Sequence, residues 1–278
     1  MRLSTLASCS AALAFVAMTT NIAHAIPLRV TLTNISPTGG VGTSPLWVGF
    51  HDGSFDVFSP GAAASLGLER TAEDGDNSAI TGLFTGSVQG TLPGGPAFPG
   101  QVRSALFNVD TGGMGRYFSY ASMVVVSNDF FIANGTPTAI DLSGLAPGQT
   151  LSIFAGVPYA AGLENVVYDA GTEVNDFLFS LANGAFGIPG GQTGGNQGTT
   201  EGGVVTTVQG DPFAGFLNAP PGFVSGLLNF NDPSLYSAIA RIDITAVPEP
   251  GSMVLLSSGL LALGVSKLRR RNAEHFSA

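Results

Sequence analysis

Lysine is all but missing from this 278-residue chain, cysteine and tryptophan occur once each, and only 10% of the residues are charged. The single lysine is Lys267 and the single cysteine Cys9, both near the chain ends. Between Ile26 and Pro250 the cations are Arg29, Arg70, Arg103, Arg116 and Arg241 against eighteen acids, a net charge of −13. Such a body repels nucleic acid and anionic membrane surfaces but attracts divalent cations. Without lysine or cysteine there, Schiff-base and thiol-nucleophile chemistry are excluded. His24 and His275 lie at the ends, so His51 is the one histidine of the body, too few for a zinc centre on nitrogen or sulfur. A Ser-His-Asp triad would depend on His51, followed directly by Asp52, and no Gly-x-Ser-x-Gly elbow occurs. Carboxylates are plentiful, so glycoside hydrolysis by paired acids stays open.

The ends read as addresses. Met1-Arg2, the apolar run Leu3–Met18 and the small residues of Ala23-His24-Ala25 predict a signal peptide over 1–25, cut after Ala25 by signal peptidase. The processed chain then has no cysteine, hence no disulfide. At the other end, Val247-Pro248-Glu249-Pro250 precedes thirteen mostly apolar residues, Met253–Val265, and the basic cluster Lys267, Arg269, Arg270, Arg271. As a helix those thirteen residues reach about 20 Å, short of the roughly 30 Å hydrocarbon layer. The basic cluster favours a cytoplasmic tail. Proline-acid-proline, a marginal span and a terminal arginine patch, in that order, resemble a PEP-CTERM sorting signal over 247–278. The resemblance implies removal of the tail by an exosortase, transient residence in the inner membrane, and a final place at the cell surface or outside the cell.

With 44% apolar residues, the region 26–246 can build a core as one domain. Leu28 to Thr33 alternates apolar and polar, as a half-buried strand does, and further strand-like runs are 46–50, 55–58, 104–109, 117–127, 138–142, 151–157, 204–209 and 238–245. Ser36-Pro37-Thr38-Gly39-Gly40, Pro93-Gly94-Gly95-Pro96 and Ala146-Pro147-Gly148 punctuate them. One short helix is expected within 61–73. The pattern predicts an all-β chain, an antiparallel β-sandwich of about eight strands with long glycine-rich loops. Gly184–Gly203, with nine glycines in twenty residues, is expected to be a mobile loop without a core role.

Two near-motifs fail. Asp74-Gly75-Asp76-Asn77-Ser78 starts like an EF-hand loop, but Ala79 stands at the turn glycine and Thr85 at the closing glutamate. Gly112-Gly113-Met114-Gly115 starts like a calcium-binding nonapeptide, but Tyr117 breaks it and no second copy follows. The stronger acidic signals sit at strand ends. Met123-Val124-Val125-Val126 runs into Ser127-Asn128-Asp129, and Val166-Val167-Tyr168 into Asp169-Ala170-Gly171-Thr172-Glu173-Val174-Asn175-Asp176. Small residues between Asp169 and Glu173 allow a tight turn that brings carboxylates together. Hard oxygen ligands without nearby cations suit Ca²⁺. On spacing alone, solvated loop acids are the simpler assignment.

Four blocks, Phe50-His51-Asp52-Gly53-Ser54-Phe55-Asp56-Val57-Phe58, Ala72-Glu73-Asp74-Gly75-Asp76, Ser122–Asp129 and Asp169–Asn175, resemble in order and spacing a bacterial spondin domain of the spondin N-type, over about residues 28–245. The resemblance implies an antiparallel sandwich with a calcium site at one end. Its ligand positions fall on Asp129, Asp169 and Glu173; Glu173 replaces an aspartate of the family pattern, and Asn128 a proline. His51 is expected to pack beside Trp47 or Phe50 and hold a loop carbonyl, and Glu73–Asp76 to be a hydrogen-bonded turn at the helix end. The expected function is a non-enzymatic surface or matrix module that binds Ca²⁺ and associates with extracellular polysaccharide or a surface protein. A carboxylate-dependent glycan hydrolase and a metal-free structural surface protein are the alternatives.

Overall fold

The computed structural model describes residues 25–175, 198–215 and 222–248. Eleven strands run in the order β1 (Ile26–Asn34), β2 (Gly42–Thr43), β3 (Trp47–His51), β4 (Val88–Thr91), β5 (Val102–Val109), β6 (Tyr117–Val125), β7 (Phe130–Ala133), β8 (Thr150–Ala155), β9 (Val167–Asp169), β10 (Thr206–Thr207) and β11 (Ala240–Ala246). Two short helices, α1 (Leu66–Asp74) and α2 (Ser78–Leu83), fall between β3 and β4. All strand pairs are antiparallel. One sheet has the order β5-β1-β11-β8, and the larger one β10-β9-β7-β6-β3-β4 with β2 added to β6. The chain is an all-β sandwich.

Side-chain alternation explains the layers. In β1, Leu28, Val30 and Leu32 are buried while the residues between them face outward; β11 repeats this with Ile242 and Ile244 opposite Leu32 and Val30. These side chains meet Val48, Phe50, Phe118, Tyr120, Phe130 and Ile132 of the larger sheet in one core. The larger sheet is buried on its other face too, where Trp47, Ala121, Phe131 and Tyr168 pack with Val57, Phe58, and Leu68 and Ala72 of α1. Its central strands β3 and β7 are therefore apolar throughout, apart from His51 at the end of β3. Truncating an inner-face residue such as Ile242 to Ala would cost about 2–5 kcal/mol.

Two expected strands are not strands. Residues 55–58 form an irregular segment whose Val57 and Phe58 cover the larger sheet, and 138–142 contributes one isolated bridge, Asp141 with Tyr117. The expected helix within 61–73 starts later: Ser65 caps it, its side chain accepting from the Leu68 N–H, and Gly75 ends it with its N–H on the Thr71 carbonyl. Asp76 then accepts from the Ser78 N–H at the start of α2, so the acidic block is the hydrogen-bonded turn between the helices. Residues 184–197 of the glycine-rich run lie outside the described residues. Its end, 198–203, does not hang free but pairs with 171–174: Val174 donates to the Thr199 carbonyl, Glu201 to Thr172 and Gly203 to Gly171. Among the described residues no helix is long and apolar enough to cross a membrane. Residues 1–24 of the expected signal peptide and the expected C-terminal span lie outside them.

Candidate metal centre

The β6–β7 connection is a tight, strained turn. Val126 holds φ at 111°, a conformation that β-branched residues rarely adopt. Ser127 pins the turn, its hydroxyl donating to the Val124 carbonyl (2.6 Å) and accepting from the Phe130 N–H (3.0 Å). Asp129 follows, fully buried. Because β7 pairs with β9, Phe130 stands opposite Asp169 and the Ala170 N–H bonds to the Asp129 carbonyl, so the two aspartates are neighbours by register. Gly171 turns the chain back at φ 65°, where an added Cβ would lie 2.6 Å from the Val204 carbonyl oxygen. The returning backbone points two N–H groups at Asp129: its Oδ2 accepts from Thr172 (3.0 Å) and Glu173 (3.2 Å).

The other oxygen, Oδ1 of Asp129, is buried without a hydrogen-bond partner. Asp169 and Glu201 stand next to Asp129, and one carboxylate oxygen from each of the three residues lies within 4.8 Å of the others. That spacing matches oxygens sharing one Ca²⁺ at about 2.3–2.6 Å each. Asp169 accepts from the Gly171 N–H (2.7 Å) through Oδ1 and from the Asn175 amide (2.7 Å) through Oδ2. Asn128 donates to the Val174 carbonyl (2.6 Å), and the amide oxygens of both Asn128 and Asn175 are buried without partners. Exposure rises from Asp129, buried, through Asp169, half-buried, to Glu201, exposed. Among the described residues no arginine forms an ion pair with any of these three acids; Arg70 of α1 is engaged by Glu69, Glu73 and Asp74.

Burial, and next the charge of Asp169 beside it, push the Asp129 carboxyl up to about 7, and the N–H groups of Glu173 and Thr172 pull against this. Glu73 on α1 lies behind the same loop, hydrogen-bonded to Thr172, and its own pKa is raised chiefly by burial. An ion among the oxygens would supply the missing partner of Asp129 and cancel the repulsion between carboxylates.

Of the three residues expected from sequence, the structure unites Asp129 and Asp169. Glu173 serves through its backbone N–H, and its carboxylate lies against Gly198 instead, where φ is 118° and a Cβ would collide with it. The third carboxylate of the group is Glu201, which the sequence reading passed over although it is the one charged residue of 184–203. His51 is buried as expected but holds no carbonyl. Its Nδ1 accepts from the Gly53 N–H (3.0 Å), which makes Nε2 the donor to the Ser119 hydroxyl (2.9 Å). Burial lowers its pKa, against the nearby charges of Asp52 and Asp56. It is a structural histidine in this geometry.

Comparison with known proteins places the C-terminus. The PEP-CTERM protein-sorting motif matches residues 246–271, while no family match supports a spondin N-type domain in the body. No curated protein matches the chain. The motif implies an exported protein whose membrane-anchored precursor is processed by exosortase.

Proposed function

We propose that the processed chain is a non-enzymatic surface or extracellular-matrix module, spondin-like, in which one Ca²⁺ fastens the end of the sandwich that carries the β6–β7 turn and the β9 loop. The observation that carries this reading is the buried, unpartnered Oδ1 of Asp129 in a residue whose carboxylate gathers with those of Asp169 and Glu201. Leaving a buried carboxylate oxygen unsatisfied is costly, and a hard divalent cation is the partner that three acids and two unpartnered amide oxygens suit. Asp129, Asp169 and Glu201 would hold the ion, with Asn128 and Asn175 as further oxygen donors. The three carboxylates gather around one point rather than facing each other across a substrate-wide gap, which favours ion binding over glycoside hydrolysis. Export followed by tail removal suits a role in adhesion or in association with extracellular polymer.

Calorimetric melting of the EDTA-treated, processed chain tests the reading. Calcium at about a hundred times its Kd adds ~2.7 kcal/mol, a rise of roughly 5–10 °C for a domain of this size. Asp129→Ala and Asp169→Ala should each abolish the rise. An unshifted melting temperature at millimolar calcium would remove the metal from the proposal.

A further inference from the structure

A second concave site lies at the far end of β9 from the carboxylates. Phe154 of the edge strand β8, Val157, Pro158, Tyr159, Leu163 and Pro233 wall a hollow of about 600 Å³, with Asn165 and Ser237 at its rim. That volume is of the size that small ligands occupy. Phe154 is 45% exposed and Leu163 44%, so apolar side chains are held open to water at a free sheet edge. Asn165 donates to the Phe154 carbonyl (2.5 Å) and ties the wall to the strand, while the Tyr159 N–H bonds to the Phe230 carbonyl (2.5 Å). Among the described residues the hydroxyls of Tyr159 and Ser237 have no hydrogen-bond partner.

We propose that this hollow binds a neutral sugar chain, the axial C–H face of a pyranose ring lying on Phe154 and Tyr159. The charge pattern selects that occupant. No charged side chain lines the hollow; Arg241, opposite Phe154 in the register of β8 and β11, is engaged by Asp243 (3.0 Å), and the charges adjacent in sequence, Glu164 beside Asn165 and Asp232 beside Pro233, are both acidic, in a body of net charge −13. An anionic chain is repelled there, and the one cation beside the wall, Arg241, is already paired with Asp243. Pyranoses with equatorial hydroxyls have the matching character: an apolar face for the aromatic rings and hydroxyls at the edge for Tyr159 and Ser237. The site is separate from the carboxylates, since Asn165 and Asp169 are about 13 Å apart along an extended strand.

Native affinity electrophoresis of the processed chain through gels containing dextran, hydroxyethyl cellulose, galactomannan or alginate tests this. Expected is retardation by at least one of the neutral polymers, none by alginate, and no change with EDTA. That last arm separates sugar binding from the ion site, since either can fail while the other stands. Phe154→Ser, an exposed position where the fold is retained, and Tyr159→Ala should each weaken retention at least fivefold, with circular dichroism confirming folding. The proposal is overturned if no neutral polymer retards the protein, if alginate does so, or if folded Phe154→Ser is retained like the parent. It is equally overturned if size-exclusion chromatography shows Phe154→Ser dissociating a dimer, which would make the hollow a contact between copies of the chain.

Discussion

Asp129 and His51 are both buried ionisable groups, and their pKa values move in opposite directions relative to the unfolded chain. Asp129, faced by Asp169 and Glu201 and reached from behind by Glu73 through Thr172, is raised to about 7. Its contribution to stability is therefore whole below the ordinary carboxylate range and is lost as pH rises to about 7 in metal-free protein. His51 is lowered, so its contribution is present above the ordinary imidazole value of 6.5 and is lost as pH falls through the folded value. Metal-free protein should accordingly lose melting temperature toward neutral pH, and calcium should restore it; a pH series of melting curves with and without calcium measures this. Asp129→Asn separates the charge from the shape. Its amide oxygen still accepts from Thr172 and Glu173, and its amide nitrogen can donate to Asp169 where two carboxylates repelled. Calorimetry at pH 7.5 should show the metal-free variant melting above the metal-free parent but no longer responding to calcium. His51→Ala strands the Gly53 N–H and leaves the Ser119 hydroxyl with the Asn134 amide alone, and should cost about 2–4 kcal/mol while leaving the calcium response intact.

At the scale of elements, strands that alternate and the longer buried strands β3 and β6 were legible, and the shortest buried ones were not. Leu28 to Thr33 shows its pattern because one face of β1 meets water. Phe130–Ala133 is four residues long with no polar face to mark a period, so β7 was hidden, and β9 showed only as the apolar run Val166–Tyr168 leading into Asp169, although the two strands place both aspartates. Val57 and Phe58 misled for the converse reason: they are apolar because they cover a sheet, not because they belong to one. The end of the glycine-rich run, 198–203, misled most, since composition predicts looseness but says nothing of pairing. Gly171 and Gly198 are tight rather than free, one against the Val204 backbone and the other against the Glu173 carboxylate. Gly171→Ala should therefore cost roughly 1–3 kcal/mol from its backbone conformation and contact. Because Thr172 and Glu173 aim their N–H groups at Asp129, the same change should weaken calcium affinity measured by titration calorimetry. An alanine at Gly162, also at positive φ but with open space around it and far from the acids, should leave that affinity unchanged.

For the whole molecule, the sorting tail and the acidic body make one electrostatic prediction. The full chain carries a formal charge of −9, while the stretch from Ile26 to Pro250 carries −13, because the cations cluster in the tail at Lys267 and Arg269–Arg271. Exosortase processing within the matched motif, 246–271, removes those cations together with the apolar stretch that holds the precursor in the membrane. The product should therefore run smaller and focus at a more acidic pH than the precursor, and leave the membrane fraction. Replacing Pro248-Glu249-Pro250 by alanines should keep the larger, less acidic form in the membrane fraction, read on two-dimensional gels of fractionated cells. The body's calcium response should survive, since Asp129, Asp169 and Glu201 belong to the sandwich and Pro248 follows its last strand. A tail-blocked chain that still appeared outside the membrane at its processed size would instead separate export from the motif.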